Sequence, residues 1–542
     1  MVHEQRSPVD LKVTGSIPEY VAGTLYRTGP GGHTVKTDEG KLWSVSHWFD
    51  GFTQVHRFHI LPPENAKSVS RVLYNSRSSV NGLVESIRKT GSLNSFTFAQ
   101  KRDPCQSLFR KIMAFFVPTP SDPSHKPDGH NVGVTVSVNM PGFTPLDANK
   151  QAEGENPASS ITSLINKTDA SQYQMLNPET LEPVGLAEQT DLHPDLKGQL
   201  SATHAKSDPT TGDIFNYNLQ IARQHIYRVF KVSAATGQTE ILASITNAQG
   251  AAYLHSLLLT ENYVILCVWN SYYAMGGMKL LYERNIIDAL SDFDPAKRTM
   301  WYVIDRKHGK GVIAEYESDP FFCFHTINAW ETPSSADPGK MDIMADLVAY
   351  DDLSVLKRFY YENLKSTSPS ALDYAGSKGD STRGSIRRFR LPSLPESPDR
   401  ETKRKAVAVV KVAKYHSGEL PTLNPNFITK RYRYVYGVTD RAACTFVDGL
   451  VKYDMDSHVP LIWERHGHSP GEAIFVPNPA GHDEDDGVLL SVVLDGPAGN
   501  SYLLCLDART MKEVGRAELD HVVGFGFHGT HVRMDIRRGL QF

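Results

Sequence analysis

Cysteine is scarce: five residues, Cys105, Cys267, Cys323, Cys444 and Cys505, are spread over 542 positions. An odd number with no C-x-x-C pair points to neither a disulfide framework nor a thiolate zinc site, and it fits a reducing compartment. Long apolar runs are missing as well. No stretch approaches the roughly 18 apolar residues of a spanning helix, and the opening MVHEQRSPVDLK lacks the apolar centre of a secretory signal. The expected location is therefore the cytoplasm, with peripheral contact to membranes or lipid bodies as an option. An excess of either charge is absent too. With 57 basic residues against 61 acidic ones, the formal net charge is -4, which gives no general attraction for nucleic acid. The single sequon, Asn166-Lys167-Thr168, carries little weight without a secretory route.

Helical periodicity is also scarce. Short runs rich in Val, Ile, Tyr and Phe recur instead between clusters of Gly, Pro, Asn and Asp, for example YVILCVWN (263–270), TMWYVID (299–305), AVAVVKV (406–412), RYVYGV (433–438), EAIFVPN (472–478) and GVLLSVVLDG (487–496). Strands spread this evenly over so long a chain predict an all-β propeller or large barrel. No tidy repeat fixes the number of blades. Polar loops are expected at 121–131 and 148–160, and the Ser-, Gly- and Lys-rich stretch 364–404 reads as a mobile surface insertion. SLFRKIMAFFVPTP (107–120) reads either as an amphipathic helix or apolar lip able to dip into a bilayer, or as an ordinary core helix.

Four of the 21 histidines differ from the rest in context. His204 (LSATHAKS) and His255 (AYLHSLLL) stand just before a turn and a strand, while His325 (FFCFHTINAWE) and His528 (VVGFGFHGTHV) lie in apolar strands. Burying an imidazole costs free energy unless it finds a partner, and imidazole is a common ligand for ferrous iron. Separations of 51, 70 and 203 residues exclude a local site and require a fold that carries distant strands to one axis. Glu419 (GELPTLNP) and Glu472 (PGEAIFVP) stand in apolar or Pro-containing surroundings, where a carboxylate could receive a ligand's second N–H. GHSPG (467–471) spells G-x-S-x-G around Ser469, but the residues that follow read as a strand, not the helix a nucleophile elbow needs. H-E-x-x-H is absent, which argues against a zinc hydrolase. A non-catalytic propeller scaffold remains compatible with the strand pattern, though it would have no use for buried histidines.

At these residues the sequence resembles the carotenoid cleavage oxygenases. The likeness runs from GTLYRTGPGG and SHWFDGFTQVHRF through KRDPCQSLF, NPETLEPVG and all four histidine segments to GEAIFVPNPAGHDEDDGVLLSVVLDG and the late FHG. It implies a single seven-bladed β-propeller spanning 1–542 under a helical and loop dome. Fe(II) would be held by His204, His255, His325 and His528, with Glu419, Glu472 and Asp169 hydrogen-bonded behind them. Asp169 is shorter than the family's usual glutamate. His531 is the nearby decoy, and FHG selects His528 over it. The implied reaction is cleavage of a C=C bond by O₂ into two carbonyl fragments, and the implied 107–120 segment is a lip toward membrane-dissolved substrate, with Cys105 beside it as a lipidation candidate. SHWFDGF and KRDPCQSLF look like the carotenoid-cleaving branches, which favours a torulene-like polyene or apocarotenoid. A phenolic stilbene or phenylpropanoid is the alternative, with Lys167 and Thr168 as substrate contacts. The tyrosine that would share the phenol is missing between Tyr74 and Tyr173.

Overall fold

The computed structural model describes residues 3–64, 68–93, 95–101, 126–143 and 161–534. The 107–120 segment, Cys105, residues 121–125 and the 148–160 loop lie outside the described residues.

Strands dominate, and the runs picked out by composition are all present: Tyr263–Val268, Thr299–Asp305, Val407–Lys411, Tyr434–Thr439, Ile474–Pro477 and Gly487–Asp495. Most of these strands are apolar on both faces because their sheets are sandwiched between neighbours, whereas Val407–Lys411 is largely exposed. Tyr263–Val268 is buried at every position after its first, for instance, and Trp269 and Trp301 are among the largest fully buried side chains. Burying a side chain of this size stabilises the fold by about 1.5–3 kcal/mol relative to exposure.

The arrangement is propeller-like. Antiparallel sheets of four or five strands follow one another along the chain. A ten-stranded sheet joins its two ends, because Val9–Gly15 pairs with Glu513–Glu518 on one side and with Val72–Ser78 on the other. Strand His528–Arg533 lies at one edge of that sheet, against Gly23–Gly32. Edge strands such as Leu200–Ser201, Leu258–Leu259, Phe322–Pro333, Glu419–Thr422 and His528–Arg533 carry or adjoin the singled-out residues.

Short helical turns and loops pack over this end. The Asp50 carboxylate accepts the backbone N–H groups of Phe98 (2.6 Å) and Ala99 (2.8 Å), the His47 ring bonds the Leu356 carbonyl (2.9 Å), and Asn285 donates to the Gln100 carbonyl (3.1 Å).

Residues 364–404 differ from the expected insertion. Ser385–Leu391 pairs with Met341–Tyr350 and Val407–Lys411 inside a sheet, and Asp399–Lys405 runs parallel to Val312–Ser318. The arginines of SIRRFRL hide the strand in the sequence. Arg388 is buried because it forms a two-point ion pair with Asp346, which is itself fully buried, and its guanidinium lies 4.7 Å from the Trp330 ring. The sequon is structural: Asn166 is wholly buried and donates to Val132 O and Gln174 Oε1.

Burial also sets an acid limit. It depresses the His47 ring to about 3 and the His531 ring to about 4; it does the same to His56, to about 3, with help from Arg27 and His521. Each must stay neutral in the fold, whereas the unfolded chain protonates it near about 6.5. The unfolded state therefore binds more protons between those values, and stability is lost as pH falls through this window. Thermal melts of metal-free protein should show Tm falling steadily from pH 7 to pH 5. A flat profile would contradict the placement of these rings.

Candidate metal centre

The chain brings all four rings to one point. One ligand atom from each of His204, His255, His325 and His528 lies within 4.8 Å of the others. His204 adjoins the edge strand Leu200–Ser201 and its backbone N–H meets the His255 carbonyl at 3.3 Å. His255 stands just before Leu258–Leu259, and His528 opens its own edge strand. His325 sits where the pairing of Phe322–Pro333 with its neighbour slips between Cys323 and Thr326, a bulge that re-aims the side chain.

Three carboxylates stand behind three of the rings. Asp169 bonds His255 Nδ1 at 2.9 Å, Glu419 bonds His325 Nδ1 at 2.6 Å, and Glu472 bonds His528 Nδ1 at 2.7 Å. No carboxylate of the described residues bonds His204. His531 is turned away, with its Nε2 on the Val21 carbonyl at 2.9 Å.

Each carboxylate is itself held. Tyr350 donates to Glu419 at 2.5 Å and the Leu420 N–H does so at 2.8 Å; Tyr253 donates to Asp169 at 2.8 Å; Arg27 (3.1 Å) and the Gly529 N–H (2.8 Å) hold Glu472. Leu420 takes a left-handed φ of 49°, a conformation that costs a branched residue on the order of 1 kcal/mol or more and here aims its N–H at the carboxylate. Burial pushes the Glu419 and Glu472 carboxyls up. The imidazole each one faces, together with its N–H and O–H donors, outweighs that push and leaves both below the ordinary value. Burial drives His204 well below its ordinary value and His528 down to about 4.

These bonds decide the tautomers. An ionised carboxylate only accepts, so the bonded Nδ1 atoms carry hydrogen and the Nε2 atoms of His325 and His528 present lone pairs. Those two Nε2 atoms lie 3.2 Å apart, and His204 Nε2 is 3.0 Å from His528 Nε2. Two lone pairs face each other at that distance only if something electrophilic is shared between them. Imidazole ligands at about 2.1 Å from one ion and at right angles would sit about 3.0 Å apart. The donor set thus fits a single metal ion bound by neutral imidazoles.

A wall of aromatic rings adjoins the cluster. Phe324 lies 5.7 Å from the His255 ring, Phe49 lies 5.7 Å from Phe324 and 5.4 Å from Phe527, and Trp48 extends the wall to Phe527 (4.7 Å) and Phe446 (5.1 Å). Lys167 is buried at the end of strand Leu164–Lys167 with no ion-pair partner among the described residues, and burial lowers its ammonium to about 8. Thr168 is half-buried. Ser469 lies on strand His468–Pro470, with strand Ile474–Pro477 next, so the nucleophile-elbow geometry is absent there. Ser469→Ala should leave turnover unchanged in a steady-state assay.

Sequence reasoning missed Arg27, Tyr253, Tyr350 and the aromatic wall. Arg27 stands in GTLYRTGPGG and Phe49 in SHWFDGF, but nothing local marks their partners, which lie hundreds of residues away.

A propeller-like β-fold that gathers four histidines at one point presents a site able to hold a metal ion. The chain belongs to the retinal pigment epithelial membrane protein family, whose profile matches residues 1–533. It is 40% identical to a carotenoid dioxygenase of Neurospora crassa, over 98% of this chain and 89% of that protein. It is likewise 40% identical to a torulene dioxygenase of Gibberella fujikuroi, over 98% and 92%. Among solved structures, the cobalt-substituted apocarotenoid oxygenase of Synechocystis superposes with a TM-score of 0.68 at 21% identity, covering 98% of this chain and 97% of that one.

Proposed function

We propose that this protein is a non-haem iron(II) dioxygenase that cleaves a C=C bond of a carotenoid or apocarotenoid, of the torulene type, into two carbonyl products. The observation that carries the reading is the convergence of four imidazole nitrogens within 4.8 Å, three of their rings backed by carboxylates. The relatives named for carotenoid and torulene dioxygenases support the substrate class. A single domain of seven blades belongs to the same reading, supported by treating the ten-stranded sheet as two blades that share Val9–Gly15. So does entry of membrane-dissolved substrate past the apolar 107–120 segment, which rests on sequence alone, for a cytoplasmic enzyme that touches membranes peripherally.

His204, His255, His325 and His528 would hold the iron, and Asp169, Glu419 and Glu472 would fix the orientation of three of those rings. Bound Fe(II) would supply the activation of O₂ toward an electron-rich alkene. The side chains otherwise bind, orient and exclude water. Both oxygen atoms end in the products, one per carbonyl, so no net proton is consumed and no general base is required. Phe49, Phe324 and Phe527 offer ring faces and edges along which a flat polyene can lie beside the metal.

Lys167 favours a second reading. A buried ammonium with no ion-pair partner among the described residues suits an acidic hydroxyl, as on a phenolic stilbene or phenylpropanoid, with Thr168 nearby. Incubation of iron-loaded protein with torulene, β-carotene, an apocarotenal, resveratrol and isoeugenol under labelled O₂, with mass analysis of the aldehydes, separates the two. Labelled aldehydes from the polyenes are expected. Cleavage of resveratrol or isoeugenol alone would replace the first reading with the second, and five intact substrates would refute both.

A further inference from the structure

Among the described residues, Arg27 is the only Lys or Arg in direct contact with any of the three carboxylates behind the histidines. It is 2% exposed, and its Nη1 bonds both the side chain and the backbone carbonyl of Glu472 at 3.1 Å. Lys206, half-buried beside the rings, reaches toward the Thr326 carbonyl at 3.5 Å, and neither it nor the buried Lys167 pairs with any of these carboxylates among the described residues. Glu419 and Asp169 receive neutral phenols instead, from Tyr350 and Tyr253.

The space for the guanidinium is built by missing side chains. A Cβ on Gly529 would stand 2.5 Å from Arg27 Cδ, and one on Gly471 would stand 3.2 Å from Nη2. These two glycines directly follow His528 and directly precede Glu472. The chain thus surrenders side chains on both sides of a metal-facing pair to admit one arginine, and leaves its Nη2 without an acceptor among the described residues. A buried ion pair on these terms adds little to folding, since desolvation offsets most of the attraction. Its effect has to be sought at the metal.

We propose that Arg27 is a positioning and charge-setting residue that favours the ferrous over the ferric state. Three carboxylate charges face the centre. One guanidinium and one divalent ion cancel them among the groups in contact, whereas a trivalent ion would leave an excess positive charge in an interior that solvent screens poorly. Arginine remains protonated at any working pH, so this bias does not titrate.

The inference rests on the reading that the histidines hold iron, and the experiment keeps the two apart. Purified protein, Arg27→Met, Arg27→Lys, Glu472→Gln and the double variant are stripped, loaded with Fe(II) under argon and assayed for iron. The Fe(III)/Fe(II) midpoint is then read by mediated titration, one electron passing between iron and mediator dye. Arg27→Met should lower the midpoint, Glu472→Gln should raise it, and the double variant should return to the parent value. Arg27→Lys should stay near the parent. A purely structural arginine would give no such reciprocal rescue, and the double variant remains informative if Arg27→Met alone does not fold. Iron-loaded Arg27→Met or a double variant that breaks this pattern overturns the inference and leaves the metal centre standing. Failure of the parent protein to take up iron overturns both.

Discussion

His528→Ala is expected to abolish olefin cleavage and to leave the purified chain without stoichiometric iron. The ring contributes a ligand atom 3.0 Å from that of His204 and 3.2 Å from that of His325, so its loss opens the centre of the donor set. It also strands Glu472, whose carboxylate would keep Arg27 and the Gly529 N–H but lose its imidazole. Loss of a partner behind a ligand costs about 10–100-fold in metal affinity or activity, and loss of the ligand itself should exceed that, at least a hundredfold in cleavage rate. Iron analysis and single-turnover rates check it together. Full iron with normal turnover in the variant would remove His528 from the centre. The neighbouring His531→Ala, whose ring bonds the Val21 carbonyl instead, should keep both iron and turnover to within a few-fold.

Metal exchange should have an effect as large. Removal of iron by a chelator should eliminate cleavage, and Fe(II) should restore it, while Zn(II) should fill the site and leave the protein inert. Zinc accepts the same neutral imidazoles but has no redox chemistry to offer O₂. The readouts are aldehyde yield and protection against thermal unfolding, since any ion that binds only the folded chain raises Tm. Equal activity with zinc would sink the oxidative reading and return attention to hydrolytic chemistry.

Much of the candidate site is legible in the sequence, and for a physical reason. A histidine in an apolar strand such as FFCFHTINAWE or VVGFGFHGTHV must be compensated after burial, and this makes it conspicuous. The β-rich character was equally plain, because sandwiched strands read as continuous apolar runs. Asp169 was harder, since it stands in a polar segment, NKTDASQY, that looks like any surface turn. Arg27, Tyr253 and Tyr350 were invisible: each acts through a carboxylate supplied from another part of the chain, 445 residues away for Arg27 and Glu472. The strand Ser385–Leu391 was hidden by the opposite effect. Its arginines look solvated, and only the buried Asp346 shows why Arg388 can be inside.

The unequal support of the four rings has its own outcome. His255, His325 and His528 are each bonded to a carboxylate from behind, whereas no carboxylate among the described residues bonds His204. Three rings should then hold a bound ion as a fixed tripod, with the fourth the first to let go. Exchange of the ion should start on that side, and trimming His204 should speed metal loss more than it distorts the remaining three.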